Sequence, residues 1–148
     1  MDERIPAIED YMVNVIENAD LGIALNEVIL GQKDRSSRFK PPLIWIFPSP
    51  SPITPNGGSG VCEAWTLRYT IVAVTNDHDI EQGRRDCQLL ALRASYELIK
   101  NEIRRMMDGN ASDTVRTGWI PAQDRVQNED TMFGSGVEIE IRLSTKEG

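Results

Sequence analysis

The order of local patterns along this 148-residue chain predicts an α+β fold: two helices and a sheet of about four to five strands, in the sequence α-β-β-β-α-β-β. Three observations carry that prediction. Apolar residues recur at helical spacing near the start and again, over a longer stretch, from residue 79 onward. Trp65, Leu67, Tyr69, Ile71 and Ala73 alternate with Thr66, Arg68, Thr70, Val72 and Val74. Val137, Ile139, Ile141 and Leu143 alternate with Glu138, Glu140, Arg142 and Ser144. A chain of this length is near the commonest single-domain size and buries roughly 70% of its unfolded surface, so residues 1–148 read as one domain that needs no disulfide or metal to fold.

The first helix follows from Ile5, Ile8, Met12, Val15, Ile16 and Ala19, which fall on one face. Asp2 or Glu3 stands at its start, Pro6 is tolerated in a first turn, and Asn18, Asp20 and Gly22 end it. Residues 23–31 read as a strand of imperfect alternation, followed by a polar loop that carries Lys33, Arg35, Arg38 and Lys40. Pro41 and Pro42 introduce a short buried strand, Leu43 to Phe47. Residues 48–60 then read as a long loop, because Pro48, Pro50, Pro52 and Pro55 favour an extended path and Asn56 to Gly60 supply a turn. A loop of that length exceeds what a hairpin needs, which makes it a candidate contact arm through residues such as Ile53 and Asn56.

Asn76, Asp77 and Asp79 offer N-caps for a second helix over about residues 79–107. Leu89, Leu92, Tyr96, Ile99, Ile103 and Met106 form one stripe on it, and Cys87, Ala91, Ala94 and Leu98 form an adjoining one. Together they cover more than half the circumference, more than a helix resting on one sheet requires. Two explanations are open: the alanine-rich stripe packs on the first helix, or part of this surface is buried against another subunit. The polar side keeps Arg93 and Glu97. Asp108-Gly109-Asn110 stops the helix, residues 115–121 and 136–144 read as closing strands, and Gln123 to Asp130 reads as a polar loop between them.

Composition removes several function classes. Hydrophobic residues are 40% and charged residues 26%, which is ordinary for a folded domain. No apolar run approaches the roughly 20 residues of a membrane span, and the first residues lack the basic-then-apolar order of a signal peptide, so synthesis in a cytoplasm is the expectation. Sixteen basic against 23 acidic residues leave a net charge of −7, against a module that must neutralise phosphates. Cys62 and Cys87 are too far apart for a CxxC-type metal site and read as buried free thiols.

No catalytic constellation stands out. His78 is the sole histidine, and a metal reading with Asp77, Asp79 and Glu81 lacks a second histidine or a cysteine cluster; capping aspartates on a solvated loop explain the same residues. Gly134-Ser135-Gly136 lacks the spacing of a nucleophile elbow, and Gly57 to Gly60 is not followed by Lys-Ser or Lys-Thr. Glu138 and Glu140, with Arg142 two further on, fit a charged solvated or intersubunit face better than an acid/base pair. The basic stretch Lys33, Arg35, Arg38 and Lys40 is a solvated loop or a contact for an acidic neighbour, including another copy of this chain.

The Pro-Pro-Leu-Ile-Trp-Ile-Phe strand, the strand Trp65 to Val74, the helix from Gly83 to Met107 and the closing strand Gly136 to Leu143 together resemble the tail-terminator or tail-completion proteins of tailed bacteriophages. The resemblance spans nearly the whole chain and rests on layout. It implies a mostly antiparallel sheet with two helices packed on it, no enzymatic activity and no cofactor. It further implies a homo-oligomeric ring, commonly hexameric, that caps the head-proximal end of a tail tube and joins it to head-closure or neck proteins. Genome DNA would pass through the lumen without specific binding, and the location would be the virion. Related neck roles, head closure or tube subunit, use similar parts. Two other classes stand beside it: a small ligand-binding domain or enzyme using the region near His78, and an adaptor that takes a peptide on a sheet edge.

Overall fold

The computed structural model describes residues 4–31, 41–56, 64–77, 79–100, 111–127 and 130–143. Its elements run α1 (Arg4–Asn18), β1 (Glu27–Leu30), β2 (Leu43–Asn56), β3 (Ala64–Asp77), α2 (Ile80–Ile99), β4 (Ala111–Gln127) and β5 (Asp130–Leu143). This is the α+β order read from the sequence. The five strands form one sheet in the order β1-β2-β3-β5-β4. Every neighbouring pair is antiparallel except β1 and β2, which run parallel with Glu27 opposite Leu43 and Leu30 opposite Ile46. A parallel pair needs a crossover rather than a tight turn. The described ends of the connection are tied down: the Gly31 N–H donates to the Ile46 carbonyl, and Asn26 donates its backbone N–H to the Pro42 carbonyl and its side-chain amide to the Pro41 carbonyl, each at 2.8 Å.

Both helices lie over one face of the sheet. α1 buries Ile8, Met12 and Ile16, spaced four apart, while Ile5, Val15 and Ala19 pack at the margin. It ends as its sequence dictates. The Asp20 carboxylate accepts the Gly22 N–H at 3.0 Å, and Gly22 takes a φ of +79°, a conformation costly for any residue with a Cβ. β3 contributes Leu67, Tyr69, Ile71 and Ala73 to the core, and β5 contributes Val137, Ile139 and Ile141. Those two rows face each other directly, with Leu67 opposite Ile141, Tyr69 opposite Ile139 and Ile71 opposite Val137. Ile44 and Ile46 of β2 complete the layer.

Several boundaries depart from the sequence reading. The strand expected over residues 23–31 is confined to Glu27–Leu30. The second strand does not stop at Phe47, and residues 48–56 are not loop: β2 stays paired with β3 from Ile53–Leu67 to Asn56–Ala64, across a register shift between Pro48 and Ile53. A strand with only one neighbour tolerates prolines, since an N–H that faces away from the ladder is not missed. Residues 57–63 lie outside the described residues. The closing strands are also longer than expected, and Gln123 to Gln127 belong to β4 rather than to a loop, pairing through Gln127–Asp130. Polar residues belong on a strand at the rim of a sheet, so a polar run gave a false loop signal. The described part of α2 ends at Ile99, where Lys100 leaves helical geometry and its N–H bonds the Tyr96 carbonyl at 3.1 Å. The expected continuation to residue 107 lies outside the described residues.

Asp79 is the N-cap of α2, as expected: its carboxylate accepts the N–H groups of Glu81 at 3.0 Å and Gln82 at 3.2 Å. The core-facing side is Gly83, Cys87, Leu90, Ala91, Ala94, Ser95 and Leu98. The alanine stripe therefore faces the sheet, joined by Leu90, which the sequence reading did not place. The small side chains let the helix sit close to β3 and β5. The other stripe behaves differently: Leu89 is 46% exposed and Tyr96 57% exposed.

Candidate functional site

Three of the charged residues singled out in the sequence come together on the sheet face opposite the helices. On β5, Glu138, Glu140 and Arg142 occupy the row that alternates with the core row, and they stand opposite Thr70, Arg68 and Thr66 of β3. Glu140 is the centre of the group. Its side chain is 11% exposed and its carboxylate is shared: Arg68 Nε donates to one oxygen at 3.2 Å, and Arg142 donates to the other through Nη2 at 3.2 Å and Nε at 3.3 Å. A carboxylate held between two guanidinium groups is a structural clasp.

This corrects one expectation. The Glu138–Glu140–Arg142 row was read as a charged, solvated or intersubunit face. β5 is an interior strand, inserted between β3 and β4, and Glu140 is buried. Arg68 was not singled out, although it is half of the clasp. Its alternation on β3 was visible, but only the β3–β5 register places it opposite Glu140. Beside the clasp, the Ser49 and Thr70 hydroxyls bond each other at 2.9 Å, both buried. Further along the same face Trp45 and Phe47 hold their rings 5.1 Å apart, and the Trp45 indole N–H donates to the Gly31 carbonyl.

The remaining candidates separate. Arg93 is on α2 and donates to the Leu21 carbonyl at 2.9 Å, tying α2 to the α1–β1 connection. Glu97 pairs with Lys100 at 3.1 Å, and the Lys100 ammonium also sits 4.9 Å from the Tyr96 ring centre. Ile53 and Asn56 are on β2, past the four-residue reach of β1, so on that side their strand has no described neighbour. Lys33, Arg35, Arg38 and Lys40 lie outside the described residues, as does His78. Of the carboxylates that would have joined His78 in a metal site, Asp79 caps α2, and Glu81 pairs with Arg84 at 2.7 Å and Arg85 at 3.5 Å. Among the described residues no group of three or more His, Cys, Asp or Glu side chains is placed to hold a metal ion.

A recess of about 510 Å³ lies between the end of α1 and β1. Its lining residues all fall between Ile16 and Val28 and include Glu17, Asp20 and Glu27, with neither a basic side chain nor a nucleophile. On the helical side, Cys87 is buried, as expected, and donates its S–H to the Ala73 carbonyl at 3.2 Å. Burial pushes its thiol up to about 11, the reverse of an activated cysteine. No described helix is long and apolar enough to cross a membrane. No family model matches the sequence, and no curated protein matches it.

Proposed function

We propose that this chain is a structural virion assembly protein of the tail-terminator class, which forms a ring, commonly of six copies, on the head-proximal end of a tail tube. The observation that carries the reading is the sheet's two unlike edges. On one side β1 offers four residues and leaves the proline-bearing half of β2 beyond it; on the other β4 runs for 17 residues. A long edge strand left bare invites uncontrolled pairing, so proteins that keep one generally cover it. Two different edges on opposite sides of one domain suit a head-to-tail contact, in which β4 of one copy lies along the β2 edge of the next, and repetition of such a contact closes a ring. Ile53 and Asn56 then fall on the receiving edge.

The order of elements supports the class through the layout resemblance. The net charge of −7 supports a lumen through which DNA passes without adhering. In this role the ring stops tube growth and presents a face to head-closure or neck proteins, and neither catalysis nor a cofactor is required.

Native mass measurement and negative-stain imaging of the purified chain, alone and with its tail-tube partner, test the reading. The expected result is a closed ring seated on one end of the tube and tubes of limited length. A chain that stays monomeric at high concentration and forms no ring with the tube present would exclude it.

A further inference from the structure

The outer face of α2 carries an inference independent of the ring. Leu89, Leu92, Tyr96 and Ile99 follow one another at intervals of three, four and three, on the side opposite the core-facing Cys87, Leu90, Ala94 and Leu98. Leu89 and Tyr96 are about half exposed, and Leu92 and Ile99 are partly so. A 3-4-3 seam is narrower than the stripe a helix lays on a sheet; it is the spacing by which two helices interlock. The outward side of α1 cannot be the complement, because its exposed residues there are Ala7, Asp10, Asn14 and Glu17. Among the described helical residues beyond the first turn of α2, the large exposed hydrophobics are Leu89 and Tyr96 themselves. Among the described helices, the apolar face that matches it is α2 itself, as a second copy would present it.

Charge fixes the direction. One flank of the seam carries Asp86, Arg93, Glu97 and Lys100. With two α2 helices parallel, Asp86 meets Asp86, Arg93 meets Arg93 and Lys100 meets Lys100. With them antiparallel about residue 94, the rise of about 1.5 Å per residue brings Asp86 within two residues, about 3 Å along the axis, of Lys100 of the second copy, twice over, and Arg93 within the same distance of its Glu97. The single like-charged approach, Arg93 to Arg93 at the axis, is eased because each guanidinium is turned to its own Leu21 carbonyl.

We propose that two copies of this chain pair through α2, antiparallel and about a two-fold axis, with Leu89 against Ile99 and Leu92 against Tyr96 of the other copy. The seam is about 15 Å long, so the contact falls short of a standard interface and the pairing is concentration-dependent. A head-to-tail ring uses the sheet edges; this contact uses the helical layer and joins chains, or whole rings, two by two.

Sedimentation equilibrium over a wide concentration range tests it, with circular dichroism and urea unfolding confirming that every variant stays folded. The wild-type mass should be twice that of Leu89→Glu/Tyr96→Glu, whichever ring state each adopts. Lys100→Glu should weaken pairing about tenfold, and Asp86→Lys combined with Lys100→Glu should restore it. A wild-type mass that does not exceed the Leu89/Tyr96 variant's at any concentration overturns the proposal. A charge reversal that the double variant fails to rescue overturns the antiparallel register.

Discussion

Cys87 shows how much one buried side chain settles. It lies on the alanine stripe of α2 against β3, fully enclosed, with its S–H committed to the Ala73 carbonyl. An ionised thiol there would lose its hydration, so burial raises the folded-state value to about 11 from an ordinary value of 9.0. The sign follows directly. Between those values the unfolded chain releases a proton that the folded chain keeps, so this contribution to stability is complete below pH 9.0 and is lost as pH rises towards about 11. Tyr69 acts in the same direction further up the scale, raised by burial and then by the neighbouring Glu9 carboxylate that accepts its O–H at 3.1 Å. In a Cys62→Ala background, the Cys87 thiol should react with a colorimetric disulfide reagent only at the rate of unfolding, and Cys87→Ala should flatten the fall in urea midpoint between pH 9 and about pH 11. Rapid labelling of the folded protein would mean that α2 opens locally. The buried state of this cysteine was legible in the sequence, because its helical neighbours are alanines and leucines; its partner carbonyl required the packing of α2 on β3.

At the scale of elements, the β3–β5 pair carries the most specific chemistry. Glu140 is nearly enclosed while Arg68 is 30% and Arg142 51% exposed, so the three partners are not equivalent. Removing Arg142 leaves Glu140 its bond to Arg68 and costs what a surface pair costs, under about 1 kcal/mol. Removing the carboxylate leaves two cations side by side without their anion, and Glu140→Ala should cost about 1–3 kcal/mol. Paired urea titrations of the two variants check the order, and equal losses would show that the clasp contributes no more than its rim. The alternation of Glu138, Glu140 and Arg142 with Val137, Ile139 and Ile141 was plain in the sequence. The interior position of their strand was not, because neighbour order depends on which strands meet after the chain has turned back, and a two-residue period holds at the rim and the centre alike. The proline run failed for a related reason. Proline argues against a central strand, and β2 past Pro48 is not central.

At the scale of the molecule, helix and strand existence was legible throughout, whereas lengths were not: pairing extended β2, β4 and β5 beyond what local composition indicated. Two surfaces of different character result, the sheet edges and the outer ridge of α2. Net charge acts on both. Copies carrying −7 each repel, and screening length falls from about 30 Å at 0.01 M salt to about 10 Å at 0.1 M. Ring closure through the edges should therefore strengthen as salt rises over that range, read by native mass at fixed protein concentration. Rings that dissolve over the same range would show that opposite charges hold the edges together.

The place of β5 has a consequence for the chain as it is made. It is the last described strand in sequence and an inner strand of the sheet, flanked by β3 and β4. Until the ribosome has released residues 130–143, Leu67, Tyr69 and Ile71 have no partner on that side, and β4 has no strand to join. Growth of the nascent polypeptide cannot build this sheet by adding strands outward one at a time. A product interrupted before β5 lacks Val137, Ile139 and Ile141 from its interior and displays the unpaired flank of β3. Such a fragment exposes apolar surface and an unpaired strand edge, the features that invite aggregation, so this sheet forms only once β5 is present.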